Sequence, residues 1–179
     1  MLILITTTRR PSKRTRSFAR DLYHVLPNSI RRNRGKMSLE DLNELAIRTG
    51  VDRIIVIGTQ RGNPSSLTFY EPTPSHLKPI STVSLSGVSL RREITKKRAP
   101  PSKRFCVASS DELESEAELL ARSFNVRSVK LEELKGFDIS LILTSEGGLK
   151  ASFYRVSPLE ELGPRMRISG IKEYGEGIS

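Results

Sequence analysis

Leu2-Ile-Leu-Ile-Thr6 is a continuous apolar run. After Thr7-Thr-Arg-Arg-Pro11 the chain goes on Ser12-Lys-Arg-Thr-Arg-Ser-Phe-Ala-Arg-Asp-Leu22 and is interrupted at Pro27-Asn28. The apolar run suits a strand buried on both faces, the pattern of parallel sheets covered by helices. In the second stretch Phe18, Leu22, Val25 and Leu26 recur at helical spacing, Ser12 or Thr15 can cap the start, and Pro27 stops the helix. Arg16, Arg20 and His24 fall on a different stripe, so the predicted helix is apolar inward and basic outward. A strand feeding such a helix is one unit of an α/β fold.

Working outward, Ser38-Leu-Glu-Asp41 is a capping-box-like start, with Leu39, Leu42, Leu45 and Ala46 on one face and Gly50 past the end. Arg53-Ile-Ile-Val-Ile57 reads as a buried strand, joined through Arg61-Gly-Asn-Pro64 to a second strand at Ser66 to Tyr70. Ile80 to Leu85 and Val88 to Arg91 read as two further extended segments. Lys96 to Arg104 contains two prolines and no periodicity, so it is expected to be an exposed, non-helical linker.

The order then begins again. Phe105-Cys-Val-Ala-Ser109 matches the first strand, and Ser109-Ser-Asp-Glu112 opens a helix with Leu113, Ala117, Leu120 and Phe124 on its apolar face. Ile139 to Thr144, a Gly147-Gly148 turn and Ala151-Ser-Phe-Tyr154 correspond to Arg53 to Gly58, the turn at Gly62 and Leu67-Thr-Phe-Tyr70. The expected fold is therefore α/β: two tandem α/β halves related by a pseudo-twofold duplication, 1–95 and 105–179, around the linker 96–104.

Charge follows the same division. The 179 residues carry 30 Lys plus Arg against 20 Asp plus Glu, a net charge of +10. Residues 1–36 hold ten basic and one acidic residue, and 91–104 hold seven and one, whereas 105–179 hold nine basic and thirteen acidic. A surface charged only for solubility mixes signs throughout. Concentration in two segments is the footprint of a polyanion partner, because each phosphate neutralised by Lys or Arg releases a counterion. No apolar run approaches the roughly 20 residues that span a bilayer, and no secretory signal is evident. Membrane partners are not expected. A single cysteine, Cys106, fits a cytoplasmic protein.

Catalytic constellations are not apparent. His24 and His76 lie in different contexts and support neither a metal site nor a hydrolytic triad, and neither a P-loop nor a G-x-G-x-x-G occurs. Cys106 sits in an apolar strand and reads as a small buried hydrophobe. Asp111 to Glu118 spread around a helix and read as a solvated face or a docking surface for a basic partner protein. No cofactor or metal is expected, and the protein is expected to be a non-enzyme. The alternatives are an RNA-modifying or tRNA-binding enzyme module and a DNA-binding regulator. Phe18, Phe69, Tyr70, Phe105, Phe124, Phe153 and Tyr154 occupy positions expected to be buried, which argues against a base-stacking platform of the RNA-recognition-motif kind.

Thr7 to Leu22, Pro27-Asn-Ser29, Arg31-Arg-Asn-Arg-Gly-Lys36 and Gln60-Arg-Gly-Asn-Pro64 resemble the Brix-domain family of ribosome-biogenesis factors. The likeness is greatest to its archaeal single-domain members and the eukaryotic small-subunit processome branch. The resemblance implies two α/β halves, each similar to the anticodon-binding domain of class II tRNA synthetases. It also implies binding of ribosomal RNA precursors, with a guide RNA in eukaryotes, during pre-rRNA processing and subunit assembly, without catalysis. The partners expected are such an RNA, the pre-ribosomal particle and other assembly factors, met by a monomer.

On this reading Arg9, Arg10, Lys13, Arg14 and Arg16 contact phosphates from the first loop and helix start, where free backbone N–H groups also favour anions. Arg31, Arg32, Arg34 and Lys36 form a second loop cluster, and Arg61 with Asn63 adds hydrogen bonds from the hairpin turn. Lys96, Lys97, Arg98, Lys103 and Arg104 follow the RNA as a flexible arm.

Overall fold

The computed structural model describes residues 1–175. The first half runs β1 (Ile3–Thr7), α1 (Lys13–Val25), β2 (Ser29–Arg31), α2 (Leu39–Thr49), β3 (Arg53–Gln60), β4 (Asn63–Pro72), β5 (Leu77–Ser89) and a short α3 (Arg91–Ile94). The second runs β6 (Phe105–Ser109), α4 (Glu114–Phe124), β7 (Arg127–Lys130), β8 (Ile139–Thr144), β9 (Lys150–Arg155) and β10 (Glu160–Glu173). All ten strands form one mixed sheet in the order β2-β1-β3-β4-β5-β10-β9-β8-β6-β7. Read outward from the central β5–β10 pair, both halves have the same arrangement: two antiparallel pairings, then a parallel trio. Because β5 and β10 are antiparallel, the parallel trios β2-β1-β3 and β7-β6-β8 point in opposite directions.

Local chemistry accounts for the elements. Ser12 caps α1 by accepting from Thr15 N, and Phe18, Ala19, Leu22 and Val25 are its buried stripe. Ser38 and Asp41 form the full capping box of α2, which ends on Gly50 at φ 72°. Ile3, Ile5, Ile55 and Ile57 face α1 in the main core, while Leu4, Ile54 and Val56 face α2 in a second cluster. This alternation makes each strand of the trio apolar throughout. Among the described residues the second half has only a 3-10 turn, Leu131–Glu133, in the place of α2. Its outer cluster of Cys106, Ala108, Val129, Leu134 and Ile142 is packed by Phe137, Tyr154 and Val156.

The halves interlock. Phe124 at the end of α4 packs edge-on against Phe69 of β4, 4.9 Å between centroids, and against Phe105 of β6, 5.4 Å. Buried Arg53 at the start of β3 donates its Nε to the carbonyl of Ser123 in the last turn of α4 (3.2 Å), where a cation also complements the helix dipole. Ser81 Oγ of β5 meets Ser123 Oγ at 2.5 Å.

Several expectations need correction. Leu39 is 39% exposed, and Asn43 takes the buried place, its Nδ2 donating to Thr73 O at 2.9 Å. Ile80 to Leu85 and Val88 to Arg91 are one strand, β5, with bulges against β10 near Gly87 that interrupt the alternation, and Arg91 begins α3. β10 is unanticipated because Gly163-Pro164 reads as a strand breaker. It is accommodated where the β9–β10 register skips from Glu161 to Arg165, so Pro164 costs no ladder bond. Gly163 sits there at φ 66°, a left-handed backbone that glycine adopts without strain. The edge strands β2 and β7, three and four residues long, are too short and polar to show periodicity.

Phe124→Ala removes an aromatic group shared by both halves and is expected to cost about 3–5 kcal/mol. Calorimetry of the unaltered protein is expected to show a single transition; two separated transitions there would refute the interlock.

Candidate nucleic-acid interface

Strand direction decides where the basic residues meet. The loops leaving the C-terminal ends of β1, β2 and β3 carry Arg9 and Arg10, Arg32 to Lys36, and Arg61 respectively. β5 runs the same way as β3, so α3 and the following linker start at this end, and the linker finishes there at the N-terminal end of β6. The four basic segments of the sequence therefore share one end of the sheet. The crevice outside the carboxyl ends of parallel strands is the usual ligand position in α/β sheets.

The second half carries the opposite charge at its corresponding loops. The loops leaving β6, β7 and β8 at the opposite end carry Asp111 and Glu112, Glu132 and Glu133, and Glu146. Helix starts show the contrast most clearly. Acidic residues occupy the first turns of α2 and α4, where they complement the helix dipole. The start of α1 has none and instead carries Lys13, Arg14 and Arg16, an arrangement that opposes the dipole and is relieved by a bound anion.

Not every basic side chain is free. Arg34 is only 9% exposed, which corrects its reading as a loop-surface residue: its Nε donates to Met37 O (2.7 Å) and its Nη1 to Thr7 O (3.1 Å), tying the loop after β2 to the end of β1. Burial, and then the charge of Arg9, lower its pKa. Arg14 is half-buried, donating to Val88 O and pairing with Glu93, each at 2.6 Å. Arg9 donates to Lys36 O at 3.3 Å, and Asn63 Nδ2 folds back on Arg61 O, bracing the turn. Arg10, Lys13, Arg16, Arg31, Arg32, Lys36 and Arg61 are exposed.

The linker is not a flexible arm. Lys97 pairs with Glu160 at 2.5 Å, its carbonyl accepts from Arg91 Nη2 at 2.7 Å, and Ala99 packs on the main core. At the far end Asp138 Oδ2 accepts from the backbone N–H of Lys103 and of Arg104, both at 2.9 Å, and these two bonds hold its carboxyl below the ordinary 3.8. Arg104 Nη1 reaches Gly136 O, while Lys96, Arg98 and Lys103 stay exposed. The linker is a strap whose cations are displayed at fixed places.

Arg10 and Arg61 have left-handed backbones, φ 55° and 50°. Arg61 with Gly62 (φ 78°) forms a two-residue turn with both φ values positive, which favours Asn or Gly. A bulky residue there costs roughly 1–2 kcal/mol, and strain of this kind clusters at functional sites. Sequence reasoning missed Tyr23, which is 42% exposed with its ring 5.4 Å from that of His24. Its signal was its position off the Phe18-Leu22-Val25 stripe.

Comparison with known proteins bears on this surface. The Brix domain model matches residues 8–172. Over 176 residues the chain is 32% identical to a probable Brix domain-containing ribosomal biogenesis protein of Pyrobaculum aerophilum, covering 96% of this chain and 93% of that one. A protein of the same description from Thermococcus kodakarensis is 41% identical over 100 residues, 56% of this chain and 48% of the other. The chain spans about half the length of most archaeal relatives it matches. The crystal structure of a probable ribosomal biogenesis protein from Aeropyrum pernix superposes with a TM-score of 0.79 at 29% identity, over 98% of this chain and 97% of that one.

Two substitutions test the surface. Arg61→Gly relieves the left-handed strain but adds chain freedom, so stability is expected to change by less than about 1 kcal/mol. RNA affinity is expected to fall, read by filter binding; unaltered affinity would exclude Arg61 from the interface. Asp138→Asn tests the strap. A depressed folded pKa stabilises above the unfolded value, and that contribution is lost as pH falls through the folded one. The variant is expected to melt lower at neutral pH and to lose less stability than wild type on acidification below about pH 4.

Proposed function

The chain belongs to the Brix-domain family, and from that premise we propose that it is a non-enzymatic ribosome-biogenesis factor that binds ribosomal RNA precursors through the basic end of its sheet. The observation that carries this reading is the convergence of four separate basic segments on one end, opposite an acidic one. Most carboxylates at that end are engaged by the fold: Glu93 pairs with Arg14, Glu160 with Lys97 and Arg155, Glu161 with Arg165, Asp41 caps α2 and Asp138 caps the strap, while Glu40 in the first turn of α2 stays exposed. The exposed cations there far outnumber the exposed carboxylates, which favours a polyanion.

The contacts assigned to phosphate are Arg9, Arg10, Lys13 and Arg16 at the first loop and helix, Arg31, Arg32 and Lys36 beside them, Arg61 at the hairpin, and Lys96, Arg98 and Lys103 on the strap. Arg14, Arg34, Asn63, Lys97 and Arg104 shape this surface while holding other partners. A guide RNA paired to the precursor presents the same phosphates. The pre-ribosomal particle and its other assembly factors complete the set of partners.

The matched strand order of the two halves, 1–95 and 105–179 around the strap 96–104, supports descent from one duplicated unit of the kind found in the anticodon-binding domain of class II tRNA synthetases. Residues 176–179 lie outside the described residues. Edge strands of three and four residues offer little for sheet-to-sheet pairing, which supports a monomer. No helix among the described residues is long and apolar enough to cross a membrane. A lone buried cysteine suits a cytoplasmic setting. A DNA-binding regulator is disfavoured because α1 and α2 pack on opposite faces of the sheet and cannot form a helix-turn-helix.

Replacing Arg9, Arg10, Lys13 and Arg16 with Ala is expected to weaken binding to a ribosomal RNA fragment. The slope of log K against log salt is expected to flatten by roughly 0.7 to 0.9 for each phosphate no longer neutralised. Replacing Glu112, Glu114 and Glu116 with Gln is expected to leave the slope unaltered. An unchanged slope in the first variant, or duplex DNA outcompeting the RNA at equal salt, would sink the proposal.

A further inference from the structure

Between α1 and the loop after β2 lies a cleft of about 390 Å³. Arg10, Arg16, Arg31, Arg32 and Arg34 line it, and among the described residues no carboxylate does. Half-buried Pro11 and the edge of Ala19, a residue of α1 that is otherwise 2% exposed, supply the apolar part of its wall. The equivalent place beside α4 is a cleft of about 130 Å³ lined by Asp111, Glu114, Glu118 and Glu133 with a single cation, Lys130, so the feature belongs to one half only.

Arg34 makes this cleft a prepared site. Arg34 as a residue is only 9% exposed and its guanidinium is oriented by two carbonyls, while Nη2 has no acceptor among the described residues and is not fully enclosed. Such a fork is positioned for a phosphate oxygen before any ligand arrives, so little side-chain freedom is lost on binding. Arg31 and Arg32 are exposed on the opposite rim and can close over what enters. The volume lies near the lower end of the roughly 300–1,000 Å³ of small-molecule sites, and a duplex cannot enter it. Guanidinium planes and a methyl-bearing wall suit a base, and guanidinium edges suit its phosphate.

We propose that this cleft takes one unpaired ribonucleotide, its phosphate on Arg34 and its base against Ala19 between the rim arginines. The inference rests on the RNA-binding reading and specifies it: the RNA is engaged where a nucleotide is splayed from its stack. A nucleotide within a strand and a free nucleoside monophosphate share this chemistry.

The test uses the full chain, labelled for NMR at alanine methyls and arginine side chains. Uridine 5′-monophosphate is expected to shift the Ala19 methyl and the Arg34 Nε–H, whereas inorganic phosphate moves the Arg34 signal alone. A single-stranded oligouridylate is expected to shift Ala19 at a concentration at least about tenfold lower than the monophosphate, and a blunt duplex to bind without moving it. Arg31→Gln combined with Arg32→Gln, both exposed, is expected to weaken the oligouridylate response about tenfold or more. RNA that binds with the usual salt dependence but never moves Ala19 overturns the cleft and leaves the wider interface standing. Inorganic phosphate that reproduces the Ala19 shift reduces the site to an anion hole and overturns the nucleotide. If the monophosphate moves Ala19 while no RNA binds, the cleft stands and the RNA reading falls.

Discussion

The antiparallel pairing of β5 with β10 is the constraint on which the rest of the molecule depends. It joins the two halves into one sheet, and because the pair is antiparallel it reverses the second half with respect to the first. Parallel trios then point in opposite directions, so loops that follow equivalent strands emerge at opposite ends. The basic and acidic loops need no further device to be kept apart. The same pairing places α4 where Phe124 reaches Phe69 and where Ser123 meets Arg53, so the halves share one main core.

Much of this was legible in the residues. Apolar runs at Leu2, Arg53, Phe105 and Ile139 mark strands because burial on both faces leaves no room for polar alternation. Helices α1, α2 and α4 were legible from stripes and caps whose chemistry is local. What escaped notice depends on partners distant in sequence. β10 carries Gly163-Pro164 inside a strand, tolerable only because the register skips there. β2 and β7 are held by their neighbours and have no pattern of their own. The seam is therefore the element the sequence concealed best, since its second strand reads as broken.

The basic surface was legible as composition and illegible as geometry. Counting charge finds Arg34 and Arg32 alike, yet one is buried between carbonyls and the other exposed. Arg14 and Lys97 look free until the carboxylates of Glu93 and Glu160 appear beside them, contributed from far along the chain. The linker suggested an arm because two prolines and many cations usually mean one. The carboxylate of Asp138, 34 residues from Arg104, turns it into a strap. The αL arginines and the start of α1 share another trait: each breaks a local preference for stability, and such departures concentrate where a ligand supplies the compensation.

The acidic end has a consequence for stoichiometry. A protein positive on all sides bridges polyanions, each molecule joining two strands and each strand several molecules, until a network precipitates. Here, on the proposed reading, the acidic loops after β6, β7 and β8 would repel a second strand as the basic loops after β1, β2 and β3 attract the first. The separation of sign also gives the molecule an electric moment along its strands, so a nearby polyanion turns it before contact. On the proposed reading, the charge inversion between the two halves would make the protein monovalent towards a polyanion and set its orientation on arrival.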